Sequence, residues 1–178
     1  GASGGWVNSL LVKNDGTALS TGRNTSGELG LGDTTDRNAF TAIPELSNVQ
    51  TVAAGFNHSL LVKQDGTLWV AGSGPALGLP KAKAPVTTFT LVPDVRHVTA
   101  VSAGTHHSMA IALYGVEVTN PTDEDITLER GQKCSITWDS FNLAKGAAVK
   151  VELVKGGSEM WLLSAAAKKS PLKWTVSQ

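Results

Sequence analysis

A unit of about fifty residues recurs along the first two thirds of the chain, and no other feature restricts the fold as much. The window Gly5-Trp6-Val7-Asn8-Ser9-Leu10-Leu11-Val12-Lys13-Asn14-Asp15-Gly16-Thr17 returns fifty residues later as Gly55-Phe56-Asn57-His58-Ser59-Leu60-Leu61-Val62-Lys63-Gln64-Asp65-Gly66-Thr67. A third copy runs from Val98 through Gly104-Thr105-His106-His107-Ser108 to Ile111, with Ser108 forty-nine residues after Ser59. Repetition at this period marks propellers and solenoids, whose units bury their faces against neighbours of the same kind.

Within a unit the pattern is a meander of short antiparallel strands. Ser59 to Val62 is a small and apolar run, Asp65-Gly66 supplies positive-φ positions for a tight hairpin, and Thr67-Leu68-Trp69-Val70 returns. Asp15-Gly16 takes the same place in the first copy. Glycines at 55, 72 and 78, echoed at 5, 22 and 30, mark positive φ or an approach too close for a Cβ. With 19 Gly, 7 Pro, 41% hydrophobic and 17% charged residues, the composition fits a folded all-β chain.

These residues resemble the regulator of chromosome condensation repeat family. The resemblance is carried by Val52-Ala53-Ala54-Gly55-Phe56-Asn57-His58-Ser59, then Asp65-Gly66-Thr67-Leu68-Trp69-Val70-Ala71-Gly72, then Leu77-Gly78-Leu79, with Gly27-Glu28-Leu29-Gly30-Leu31-Gly32 in the first copy. It covers residues 1–112 and implies four-stranded blades of a β-propeller closed as a ring of about seven. Only the middle copy reads as whole, so the expectation is a partial propeller of two to three incomplete blades. Its uncovered faces and edges favour further copies, a missing segment or another chain.

Beyond Leu113 the repeat vanishes. Val116-Glu117-Val118, Ile126-Thr127-Leu128, Cys134 to Trp138, Val149 to Val154, Met160 to Leu163 and Lys173 to Val176 read as six short strands, which suggests a small immunoglobulin-like β-sandwich over residues 113–178. The order Val118-Thr119-Asn120-Pro121, Gly131, Ile136-Thr137-Trp138, Val151 to Gly157 and Trp174-Thr175-Val176 is similar to the Ser/Thr-rich cell-wall glucan-assembly (Kre9/Knh-type) family. That resemblance implies an extracellular or cell-surface setting.

Several kinds of chemistry find no support. Fifteen Lys+Arg balance fifteen Asp+Glu, against the basic surface that nucleic acid requires. Cys134 is the single cysteine, which excludes an internal disulfide and a multi-cysteine zinc site, and no apolar run is long enough for a membrane span. The opening Gly1-Ala2-Ser3-Gly4-Gly5 has no basic or apolar leader pattern and reads as a mature or trimmed soluble chain.

His58 and His107 share a repeat position with Asn8, so they read as structural groups bonding between strands or blades, like Gly5, Gly55 and Gly104. His106 and His107, as strand neighbours, point to opposite faces and do not make a metal site. Ser9, Ser59 and Ser108 repeat with the fold, whereas a catalytic serine is unique and sits on its own elbow. Asp123-Glu124-Asp125 lacks the spacing of a calcium loop, and Gly27 to Gly32 lacks the Lys-Ser or Lys-Thr of a phosphate loop. Asn24-Thr25-Ser26 and Asn57-His58-Ser59 are formal glycosylation sequons.

The expectation is therefore a non-enzymatic secreted or cell-surface interaction protein without cofactor or metal. Its repeats bind a protein partner or further copies of the chain, with Trp6 and Phe56 as candidate contacts and the sandwich as spacer or attachment. The alternative is a carbohydrate-binding or cell-wall assembly protein whose sandwich, with Trp138 and Trp161, takes a glycan. Nucleotide exchange on a small GTPase follows only from the best-known member of the repeat family.

Overall fold

The computed structural model describes residues 1–79 and 85–113 in full and, beyond them, the backbone of five strands between residues 115 and 175. The chain divides into two compact units, Gly1–Leu113 and Tyr114–Gln178.

In the first unit, β1 (Ala2–Gly4), β2 (Asn8–Val12), β3 (Ala18–Gly22) and β4 (Arg37–Ala42) form one antiparallel sheet in that order. The second sheet repeats it with β5 (Val49–Ala54), β6 (His58–Lys63), β7 (Leu68–Gly72) and β8 (Val86–Leu91). A third sheet holds only β9 (Val98–Ala103) and β10 (Ser108–Ala112). Two blades are thus complete, where the sequence suggests one. The difference lies in β1, whose Ala-Ser-Gly carries no apolar signal yet pairs with Ser9, Leu10 and Leu11. Among the described residues the sheets form an open run, not a closed ring.

Burial along the run shows what a neighbouring blade does. Ser-Leu-Leu-Val occurs in both β2 and β6. In β2 burial alternates, so Leu10 and Val12 are covered and Leu11 is half-buried; in β6 the whole of Ser59–Val62 is covered. A strand with a neighbour on one face shows period two, and one covered on both faces shows continuous burial. One core lies between the first two blades, where Leu10, Val12, Ala18 and Ile43 meet Val52, Ala54, Leu61, Ala71 and Phe89. Another joins Leu60, Val62, Leu68, Val70, Leu77 and Val92 to Val98 of β9. Each fully covered Leu contributes about 2 kcal/mol, so the stability of each blade resides largely in its neighbours.

The Asp-Gly hairpins differ in detail from a two-residue turn. Lys13 N–H bonds the Thr17 carbonyl at 2.9 Å and Gly16 N–H returns to the Lys13 carbonyl at 3.0 Å, which makes a three-residue loop. Only the glycine is left-handed, at φ 79° for Gly16 and 76° for Gly66, the bulged form of the hairpin. Asp15 and Asp65 accept the Thr17 and Thr67 N–H at 2.8 and 3.0 Å. Those contacts hold both carboxyls below the usual range, the Thr17 N–H leading for Asp15 and the Thr67 hydroxyl for Asp65. The glycine carbonyls then accept Val49 and Val98 N–H at 3.0 Å, so each hairpin tip pins the first strand of the next blade.

In the second unit, β11 (Gly115–Asn120), β12 (Lys133–Phe141) and β15 (Leu172–Thr175) form one antiparallel sheet, and β13 (Val149–Lys155) pairs with β14 (Ser158–Ala167). Two such sheets do not by themselves define the expected immunoglobulin-like sandwich. The candidate strand 126–128 and the acidic cluster 123–125 lie outside the described residues.

Candidate functional site

Gly5, Gly55 and Gly104 open the second strand of each blade at the junction between blades. Each lacks a Cβ for a local reason: the side chain of Asn8, His58 or His107 fills that space, and at Gly5 and Gly55 the carbonyl of the next blade's glycine crowds it too. The Trp6 N–H donates to the Gly55 carbonyl at 3.3 Å, and Asn8 Nδ2 donates to Ser59 Oγ at 3.1 Å. The histidine position and its serine neighbour therefore tie blades together, and Ser59 is fully buried in that role.

This junction sets the candidate side chains in a row. The rings of Trp6 and Phe56 lie 5.7 Å apart at 54°, and those of Phe56 and His106 lie 6.0 Å apart at 60°, within the range of favourable tilted and edge contacts. Trp6 is 73% exposed, Phe56 half-buried and His106 exposed. Repeat spacing assigns Thr105, not His106, to the position of Trp6 and Phe56. His106 joins the row from one residue later, so the repeat pattern offered no signal for it.

At the His106 end a cavity of about 170 Å³ is lined by Asn57, His58, Ser73, Gly74, Thr105 and His106, among others. Asn57 Oδ1 and His58 Nε2 are buried and have no hydrogen-bond partner among the described residues. Burial pushes the His58 pKa below its ordinary value; the hydrogen bond to the His107 backbone opposes this, and the charges of His107 and His106 add to it. The neutral His58 ring and the Asn57 amide thus line this cavity as polar groups. Among the described residues no group of three or more His, Cys, Asp or Glu is placed to hold a metal ion.

The connector after β3 is spent on structure. Asn24 Nδ2 donates to the Asp33 carbonyl at 2.9 Å, its Oδ1 accepts Leu29 N–H at 2.9 Å, and the side chain is buried, which rules out its sequon in the folded chain. The side chains of Trp138 and Trp161 lie outside the described residues.

The first unit is an open run of β-propeller blades. Residues 15–62 match the family model of the Regulator of chromosome condensation (RCC1) repeat. The chain is 38% identical over 80 residues to Regulator of chromosome condensation from Xenopus laevis, a match covering 44% of this chain and 19% of that protein. It is 35% identical over 74 residues to human X-linked retinitis pigmentosa GTPase regulator, covering 40% and 7%. Prp20p from Saccharomyces cerevisiae, described with its binding to Gsp1p and histones, is 28% identical with a TM-score of 0.56, covering 65% of this chain and 31% of that one. Residues 15–62 therefore carry a repeat of the regulator of chromosome condensation type, and the chain spans a fifth or less of the two sequence relatives.

These matches overturn the extracellular or cell-surface expectation. The proteins that share the repeats are named for chromosome condensation and GTPase regulation, and Prp20p for binding to Gsp1p and histones, none of them an extracellular task.

Proposed function

We propose that residues 1–113 are a non-enzymatic protein-binding module whose partner docks on the row of Trp6, Phe56 and His106. The exposure of Trp6, held at a tilt against Phe56 at a blade junction, carries this reading. An aromatic row loses little side-chain entropy on binding, and the cavity beside it is lined by the polar residues Asn57, Ser73 and Thr105. The names of the relatives support a regulatory, protein-directed role. Gsp1p and histones, taken from the description of Prp20p, are the probes. Calorimetric titration should show saturable binding of one of them, weakened about tenfold or more by Trp6→Ala. Equal binding by Trp6→Ala, or no binding of either probe, would overturn the reading.

A second reading, association of copies, is favoured by one observation. Leu10 and Leu60 are each 1% exposed under the next blade, whereas Met109, at the same repeat position, is 60% exposed and Ile111 is 66% exposed. A chain that stays monomeric by light scattering across micromolar concentrations would sink it.

A further inference from the structure

The third sheet contains an unfilled place beside β10, and the preceding blades show what fills such a place. In the second blade, the inner pair β5–β6 continues outward through β7 and β8, with Leu61 opposite Trp69 and Val62 opposite Leu68. In the third, β10 pairs with β9 on one side, and among the described residues no strand pairs with its other edge.

The direction of that edge follows from the hydrogen bonds. Gly104 N–H bonds the His107 carbonyl and Leu113 N–H bonds the His97 carbonyl, so the odd-numbered residues of β10 face β9. Alternation then turns the main-chain groups of Ser108, Ala110 and Ala112 toward the open side. In the second blade the same parity directs Asn57 and Lys63 to β7, through Ser73 N–H to the Asn57 carbonyl and Lys63 N–H to the Thr67 carbonyl.

A groove of about 490 Å³ runs along this edge, and its floor is apolar: Leu60, Leu68, Val70, Leu77 and Val92 of the second blade. It continues the core that joins that blade to Val98 of β9. One step back in the run, the corresponding surface of the first blade is covered by Ala71 of β7 and Phe89 of β8. There the ring of Phe89 occupies the space a side chain at Gly30 would need; the matching Gly78, with φ 65° against 68° for Gly30, has nothing within 4 Å.

We infer that the β10 edge is a docking site for an extended, uncharged strand of another protein, which pairs antiparallel with β10 and lays alternate side chains on the floor of Leu68, Val70 and Leu77. This is strand addition to a sheet edge: main-chain bonds give affinity and alternate pockets give selectivity. A second copy pairing its own β10 about a two-fold axis does not fit. Antiparallel pairing puts that axis perpendicular to the sheet, so both second blades would fall on the same face and overlap. The site is separate from the exposed ring of Trp6.

The test uses a fluorophore-labelled peptide of the chain's own β7, Thr67–Ser73, titrated with the full chain. Binding should be saturable, unchanged in Trp6→Ala, and weakened at least about tenfold in Ala110→Pro, which removes the amide at the middle of the open edge. Hydrogen exchange of the wild-type chain reads the same site without a variant: the Ala110 and Ala112 amides should gain protection on peptide addition. Equal binding by a folded Ala110→Pro, no saturable binding by the wild type up to millimolar peptide, or protection elsewhere would each overturn the inference. So would a dimer that excludes the peptide, because the occupant would then be a second copy. Loss of Gsp1p or histone binding in Trp6→Ala bears only on the aromatic row.

Discussion

Phe89 sits on Gly30. Its ring takes the volume in which a side chain at Gly30 would lie, and Gly32 N–H bonds the Thr87 carbonyl at 2.9 Å beside it. The connector of the first blade therefore grips the fourth strand of the second, so a glycine that seems to belong to a turn is part of an interface.

Gly30→Val should destabilise the unit by about 3 kcal/mol, since it combines a branched side chain at positive φ with displacement of a core ring. Gly78→Ala shares the positive φ but meets open space, and should cost only about 1 kcal/mol. Urea unfolding of both variants checks this; equal losses would mean that backbone strain alone, not the seat for Phe89, sets the requirement.

Phe40 and Phe89 occupy the same repeat position, yet Phe89 is 8% exposed and Phe40 is 50% exposed, because only the second blade has a neighbour on that side. Phe89→Ala should cost about 3–5 kcal/mol and Phe40→Ala less than about 1 kcal/mol. Similar losses in denaturant midpoint would show that the ring of Phe40 is covered in solution.

Trp6→Ala should leave unfolding stability within about 0.5 kcal/mol of the original chain, because most of the ring faces solvent and its backbone bond to Gly55 does not need the side chain. Phe56→Ala, half-buried between Trp6 and His106, should cost more, about 1–2 kcal/mol. If Trp6→Ala proves as damaging as Phe56→Ala, the row is a structural cap and not a binding surface.

The period, the inner strands and the junction glycines were legible because they recur: Gly5, Gly55 and Gly104 impose the same close approach at each junction. The fourth strands were harder to see. Phe40-Thr41-Ala42-Ile43-Pro44 and Phe89-Thr90-Leu91-Val92-Pro93 repeat at an interval of forty-nine, but these segments lie at blade edges where exposure blurs apolar alternation. His106 was not legible at all, since its place in the aromatic row depends on how the third sheet sits on the second. Nor could sequence show that Asn24, a formal sequon, is buried and bonded on both sides of its amide.

His58 gives the first unit a pH dependence whose sign is fixed. Burial lowers its folded pKa below the unfolded value near 6.5, so below that pH the unfolded chain binds more protons than the folded one. Stability is full above about pH 7, falls as pH drops through 6.5, and stops falling below the folded pKa. Asp15 and Asp65, with carboxyls held below their usual range, contribute a separate loss only at more acid pH, as those carboxylates protonate. His58→Asn, which installs the residue found at this position in the first blade as Asn8, should remove the loss that sets in as pH drops through 6.5 and leave the acid limb in place. Urea midpoints across that range for the two chains decide the matter: if the variant falls as steeply as the original, His58 does not carry the dependence.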